Sequence, residues 1–117
     1  MSGKIARKYF LGQGGRRLGC AEAVAEALRV SYDLKDGLIR SMASARGGKA
    51  PLGYCGAVHA AITIIERKDP QKKQRIEDFF KKEAGGLTCR EIRSAGRLMC
   101  ADCVEKAAEL LSEPDQC

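Results

Sequence analysis

Apolar residues recur along this chain with the helical period, and few stretches alternate in the manner of a strand. A short basic helix is expected near Lys4 to Leu11, broken by "GQGG". "CAEAVAEALRVSY" then places Cys20, Val24, Ala27 and Leu28 on one face, which is predicted to join the core. A third segment, "LKDGLIRSMASA", is weakened by Gly37 and ends before the loop "RGGKAPLGY". "CGAVHAAITII" is apolar on nearly every side, so it reads as a central helix surrounded by the others and stopping at "ERKD".

Asp69 and Pro70 supply a cap and a first-turn proline for an amphipathic helix reaching Ala84, where Gly85 and Gly86 end it. Its apolar stripe is Ile76, Phe79 and Phe80. Thr88, with Glu91 three residues later, predicts a capping box and a short helix to about Ala95. Gly96 breaks that helix, "LMCADCVEKAAELL" forms the last one, and residues 112–117 read as a frayed tail. The pattern therefore predicts an all-α fold, a compact bundle of about five to six helices in a single domain spanning residues 1–117.

Composition agrees with that reading. Alanine, leucine, lysine and glutamate are abundant, tryptophan is absent, and 117 residues suffice for one domain with a real core. The start "MSGKIARKYF" lacks a secretory apolar run and no stretch has the length of a membrane span, so a soluble cytoplasmic protein is expected, without a membrane partner. The net charge of +6 is concentrated in "ERKDPQKKQR" and "FFKK". It reads as a solvated helix face; no nucleic-acid motif accompanies it. The alternative use of that face, from Lys68 to Lys82, is docking an acidic partner while the cysteines are purely structural.

Six cysteines in a reducing compartment point to metal or redox chemistry before a disulfide framework. Cys20, Cys55, Cys89 and Cys100 each fall in the first turn of a predicted helix. There, unpaired amides and the helix dipole favour the thiolate, the form that ligates metals and attacks disulfides. The same four lie on or near apolar faces, so they are predicted to point inward and to meet. A single buried cysteine is commonly only a small hydrophobe; four at the same place in their helices ask for more. Iron–sulfur ligation, a zinc site and a cofactor-free pair of dithiols all fit those residue types. The spacing matches no standard ferredoxin or zinc-finger run.

Cys100-Ala-Asp-Cys103 is a Cys-x-x-Cys on a helix, a device of both metal sites and dithiol oxidoreductases. No strand precedes it, which argues against a thioredoxin fold. His59, the sole histidine, sits one turn beyond Cys55 and is a lesser ligand candidate, as is Cys103. Cys117 ends the chain with no assigned role. Neither "GQGGRR" nor "RGGKAP" has the context of a nucleotide loop.

"LGCAEAVAEAL", "GYCGAVHAA", "TCREI" and "CADCVEKAAELL", in that order, resemble the family of redox-active C-GCAxxG-C-C proteins over about residues 18–111. The resemblance implies a small helical protein whose motif cysteines are Cys20, Cys55, Cys89 and Cys100, with Cys103 additional. Two departures stand out: Ala60 replaces an expected glycine, and His59 replaces a small residue before it. The expectation is a redox-active protein that binds an iron–sulfur cluster through Cys20, Cys55, Cys89 and Cys100 and acts in electron transfer with a redox partner protein. The alternatives are thiol–disulfide exchange, with Cys89 or Cys20 attacking, and zinc. No substrate is specified, and a homo-oligomer sharing a cluster would carry the same sequence signature.

Overall fold

In a computed structural model of the chain, which describes residues 2–13, 18–42, 53–66 and 68–112, the helix starts are set by short side chains that satisfy exposed amides. The Asp69 carboxylate accepts from the amides of Gln71 and Lys72 at 3.1 and 3.2 Å, and Pro70 follows it. Thr88 accepts from the Glu91 amide at 3.1 Å while Glu91 accepts from the Thr88 amide at 3.3 Å, the predicted capping box.

The described residues form α1 (Ser2–Leu11), α2 (Cys20–Ala27), α3 (Asp36–Ser41), α4 (Gly56–Ile65), α5 (Pro70–Phe79), α6 (Cys89–Ala95) and α7 (Cys100–Ser112). A π-helical turn, Phe80–Ala84, extends α5 to Gly85. The fold is all-α and has no strand among these residues. α2 ends five residues earlier than its pattern suggests. After Leu28 the chain turns, closed by the Leu34 amide donating to the Arg29 carbonyl at 2.9 Å and by Asp33 with φ 51°. That turn sends Val30 into solvent and leaves Leu28 buried. Most of the "RGGKAPLGY" loop and the tail with Cys117 lie outside the described residues.

α2, α4 and α7 pack against one another; α1 lies on α7 and α2, α3 on α2, and α5 on α4 and α7. The three mutual partners are rich in buried alanine, such as Ala23, Ala57, Ala61 and Ala107, so their axes can approach closely. Ala60 is itself fully buried, so the residue standing where glycine was expected fits the core. Gly3 has the same effect on α1: an added Cβ would stand 2.7 Å from the Glu105 carbonyl oxygen of α7. Larger side chains fill the rim of the core. Ile76 and Phe80 are fully buried, and Phe79 meets the Phe80 ring edge-on with centroids 5.4 Å apart. Burying a side chain of Phe80's size contributes about 1.5–3 kcal/mol.

Candidate redox cysteine cluster

Cys20, Cys89 and Cys100 are the first residues of α2, α6 and α7, and Cys55 is the residue before α4. A shared local device orients three of them. Each is followed two residues later by an acid whose carboxylate folds back onto the amide preceding the helix. Glu22 accepts from Gly19 at 3.4 Å, Glu91 from Thr88 at 3.3 Å, and Asp102 from Met99 at 3.0 Å. The sequence expectation covers only Thr88 with Glu91; the same Cys-x-acid spacing at 20–22 and 100–102 carries the other two.

What brings helix starts distant in sequence together is a lone antiparallel bridge between Tyr54 and Thr88. The Cys55 amide also donates to the Leu87 carbonyl at 2.9 Å. The bridged residues immediately precede Cys55 and Cys89, so α4 and α6 begin side by side. α7 packs on α4 and adds its own first turn. The result is a cavity of about 200 Å³ lined by Cys55, Cys89, Cys100 and Cys103 together with Ile92, Arg93, Leu98 and Met99.

Exposure is graded across these sulfurs. Cys100 faces solvent and Cys89 is half-buried, whereas Cys55 is 7% and Cys103 1% exposed. Cys55 and Cys103 share a hydrogen bond, which is the largest influence on both. Donation from the Cys103 thiol pulls Cys55 down to about 7, against the opposing effect of burial; the Val58 and Ala57 amides at the start of α4 and the Arg93 charge help. Cys103 is raised, first by that hydrogen bond and then by burial. The pair thus holds one proton loosely and the other tightly.

Cys20 is buried beside this group, close enough to Cys55 and Cys100 for their charges to act on it, but it does not line the cavity. Burial, its largest influence, raises its thiol. The low-lying thiol is therefore Cys55, and Cys20 is pushed the other way. Cys103, an additional candidate by sequence, lies at the centre of the cluster. His59 is half-buried on α4 and is not among the cavity's lining residues. None of the described cysteines forms a disulfide, and among the described residues no three His, Cys, Asp or Glu side chains are disposed to close around a metal ion. No helix of the described residues is long and apolar enough to cross a membrane.

Helices that deliver cysteines from their starts to one cavity define a small all-α cysteine-cluster protein. The family described as "Putative redox-active protein (C_GCAxxG_C_C)" matches residues 18–114, and the chain belongs to that family. No curated protein and no solved structure matches the chain.

Proposed function

We propose that this protein carries electrons by thiol–disulfide exchange, cycling between a Cys55–Cys103 dithiol and the corresponding disulfide. The observation that carries the reading is the hydrogen-bonded pair itself, with Cys55 drawn toward its thiolate. A thiol poised near ambient pH is the effective attacking group, and the second thiol is already within hydrogen-bonding reach.

The Cys55 thiolate attacks one sulfur of a substrate disulfide, whose S–S bond breaks and releases one thiolate. Cys103 then attacks the Cys55 sulfur of the mixed disulfide, and its proton leaves with the second released thiol. The substrate gains two electrons and the protein becomes a disulfide, which a dithiol partner reduces to close the cycle. Hydrogen bonding from the helix-start amides of α4 favours Cys55 again as the leaving thiolate in that return step.

A specific observation favours a second reading. Four cysteines on one cavity are the donor type and number that an iron–sulfur cluster uses. Cys55, Cys89, Cys100 and Cys103 would hold it, with Cys20 beside them in place of its expected role as a ligand, and the cluster would supply one-electron transfer. Their sulfurs, as placed, do not yet close around one point.

Anaerobic purification from cells able to load clusters, followed by iron, sulfide and zinc counts and a thiol titration on the same sample, separates these. Exchange predicts a metal-free chain that loses a pair of thiols to mild oxidant and regains them on reduction. Thiol counts unmoved by oxidant would overturn it, and stoichiometric iron and sulfide would install the second reading.

A further inference from the structure

The cysteine cavity has a charge asymmetry that thiol exchange alone does not require. Among the described residues Arg93 is the one charged residue lining it, beside Ile92, Leu98, Met99 and the four cysteines. Among the described residues Arg93 makes no ion pair, and its charge acts on Cys55. The nearby acids are committed elsewhere. Glu91 is occupied by the Thr88 amide and hydroxyl, and Asp102 by the Met99 amide and by Arg7 at 2.8 Å. Arg90 and Arg97, both exposed, flank Arg93 along the chain. Apart from the Cys55 thiolate, the charge that the described residues bring to this cavity is positive.

Access narrows the choice further. Cys55 and Cys103 are too deeply buried for a folded protein's surface to reach, while a space of about 200 Å³ admits one arm of a small disulfide. Met99, 76% exposed, and the exposed Cys100 mark the solvent side, and the apolar walls suit the carbon chain of such an arm. Arg93 is exposed at the cavity's edge, so its guanidinium attracts a carboxylate through a solvent-screened charge that salt weakens.

Resting on the exchange reading above, we infer that the cavity selects small disulfides bearing negative charge, with Arg93 holding the anionic group while Cys55 attacks the disulfide sulfur. The substrate class is thus a low-molecular-weight carboxylate-bearing disulfide, reduced to its two thiols as the protein pair is oxidised.

The test uses the reduced full chain and three small disulfides of similar length: dithiodiglycolate, which is dianionic; bis(2-hydroxyethyl) disulfide, which is neutral; and cystamine, which is dicationic. Each oxidation rate is divided by that of a free dithiol with the same compound, which removes intrinsic reactivity. The ratio between substrates is the readout, because loss of Arg93 also withdraws positive charge from Cys55 and slows all three. The anionic compound should exceed the cationic one by roughly tenfold or more at low salt, with the gap shrinking as salt rises. Arg93→Lys should keep the order, Arg93→Gln should flatten it and Arg93→Glu should reverse it, whereas Arg40→Gln, in a different cleft, should change nothing. Equal normalised rates in the unaltered protein, or an order that survives Arg93→Gln, would overturn the charge selection while leaving exchange standing. Failure of all three to oxidise the protein would instead overturn exchange itself.

Discussion

One cavity, about 470 Å³, is lined by Tyr9, Leu18, Glu22, Glu26, Arg29, Asp36, Ile39 and Arg40; another, smaller at about 200 Å³, holds four cysteines and, among the described residues, a single arginine. In the larger, charge meets charge. Arg29 pairs with Glu26 at 3.0 Å and with Asp36, and Asp36 is held below the usual carboxylate range by that arginine. Glu22 is buried but occupied by the amide before α2. In the smaller, the polar groups among the described residues are thiols, two of which share a hydrogen bond, and an arginine that makes no ion pair. Size is therefore a poor guide to where chemistry resides here: the roomy cleft is a surface of largely paired charges, while the small one keeps groups whose state can change.

The largest expected break in this contrast is at the thiol pair. Cys103→Ala should abolish the reversible oxidation and raise the pH midpoint of Cys55 alkylation above its value of about 7, since the donated hydrogen bond is gone; iodoacetamide rates followed by peptide mass across pH 5 to 10 would show both. An unchanged midpoint would mean that Cys103 does not poise Cys55.

Next comes the cavity wall. Ile92 is buried, and Ile92→Ala should cost about 2–5 kcal/mol in denaturant unfolding, because the removed atoms leave space beside the sulfurs. The pH dependence of stability follows from the same cluster, with opposite signs on its members. Cys55, lowered on folding, adds stability as pH rises through about 7 toward the ordinary thiol value. Cys20 and Cys103, both raised, keep their protons after the unfolded chain has lost its own, so stability is full below the ordinary value of 9.0 and declines as pH rises beyond it. A denaturant midpoint that climbs from pH 7 to about 9 and then falls is the expected profile; a flat one from 7 to 10 would sever the link between burial and thiol state.

Smaller still, Thr88→Ala removes one half of the α6 capping box and should cost about 1 kcal/mol, together with faster exchange of the Glu91 amide. The smallest effect is expected in the charged cleft. Arg29→Ala should leave thiol reactivity unchanged and lower the melting temperature by less than Thr88→Ala does, since its ion pairs are exposed to water and salt. Altered oxidation rates in that variant would join the two cavities and blur the comparison.

Much of the fold could be read from local pattern. Asp69-Pro70, Thr88 with Glu91, and the glycines after Ala84 and Ala95 act within a few residues, so their signals survive in the linear chain. The length of α2 could not be read that way. "LRVSY" continues the helical period, yet burial of Leu28 and the closing Leu34 to Arg29 hydrogen bond end the helix early. At the site, the position of Cys20, Cys55, Cys89 and Cys100 at helix starts was legible for the same local reason. Their relative rank was not, because thiol state depends on neighbours from other helices.

What the amino-acid sequence determined by itself was the type of each element and the presence of a thiol at each of four helix starts, through capping chemistry and the 3.6-residue period, both short-range. Only the tertiary structure decided which sulfurs meet. The Tyr54–Thr88 bridge sets α4 beside α6, and the packing of α7 on α4 brings Cys103 to Cys55, while Cys20 stays outside the cavity's lining. Burial, hydrogen bonding and charge act through space over a few ångströms, and residues 48 apart in the chain become partners only once the helices have packed.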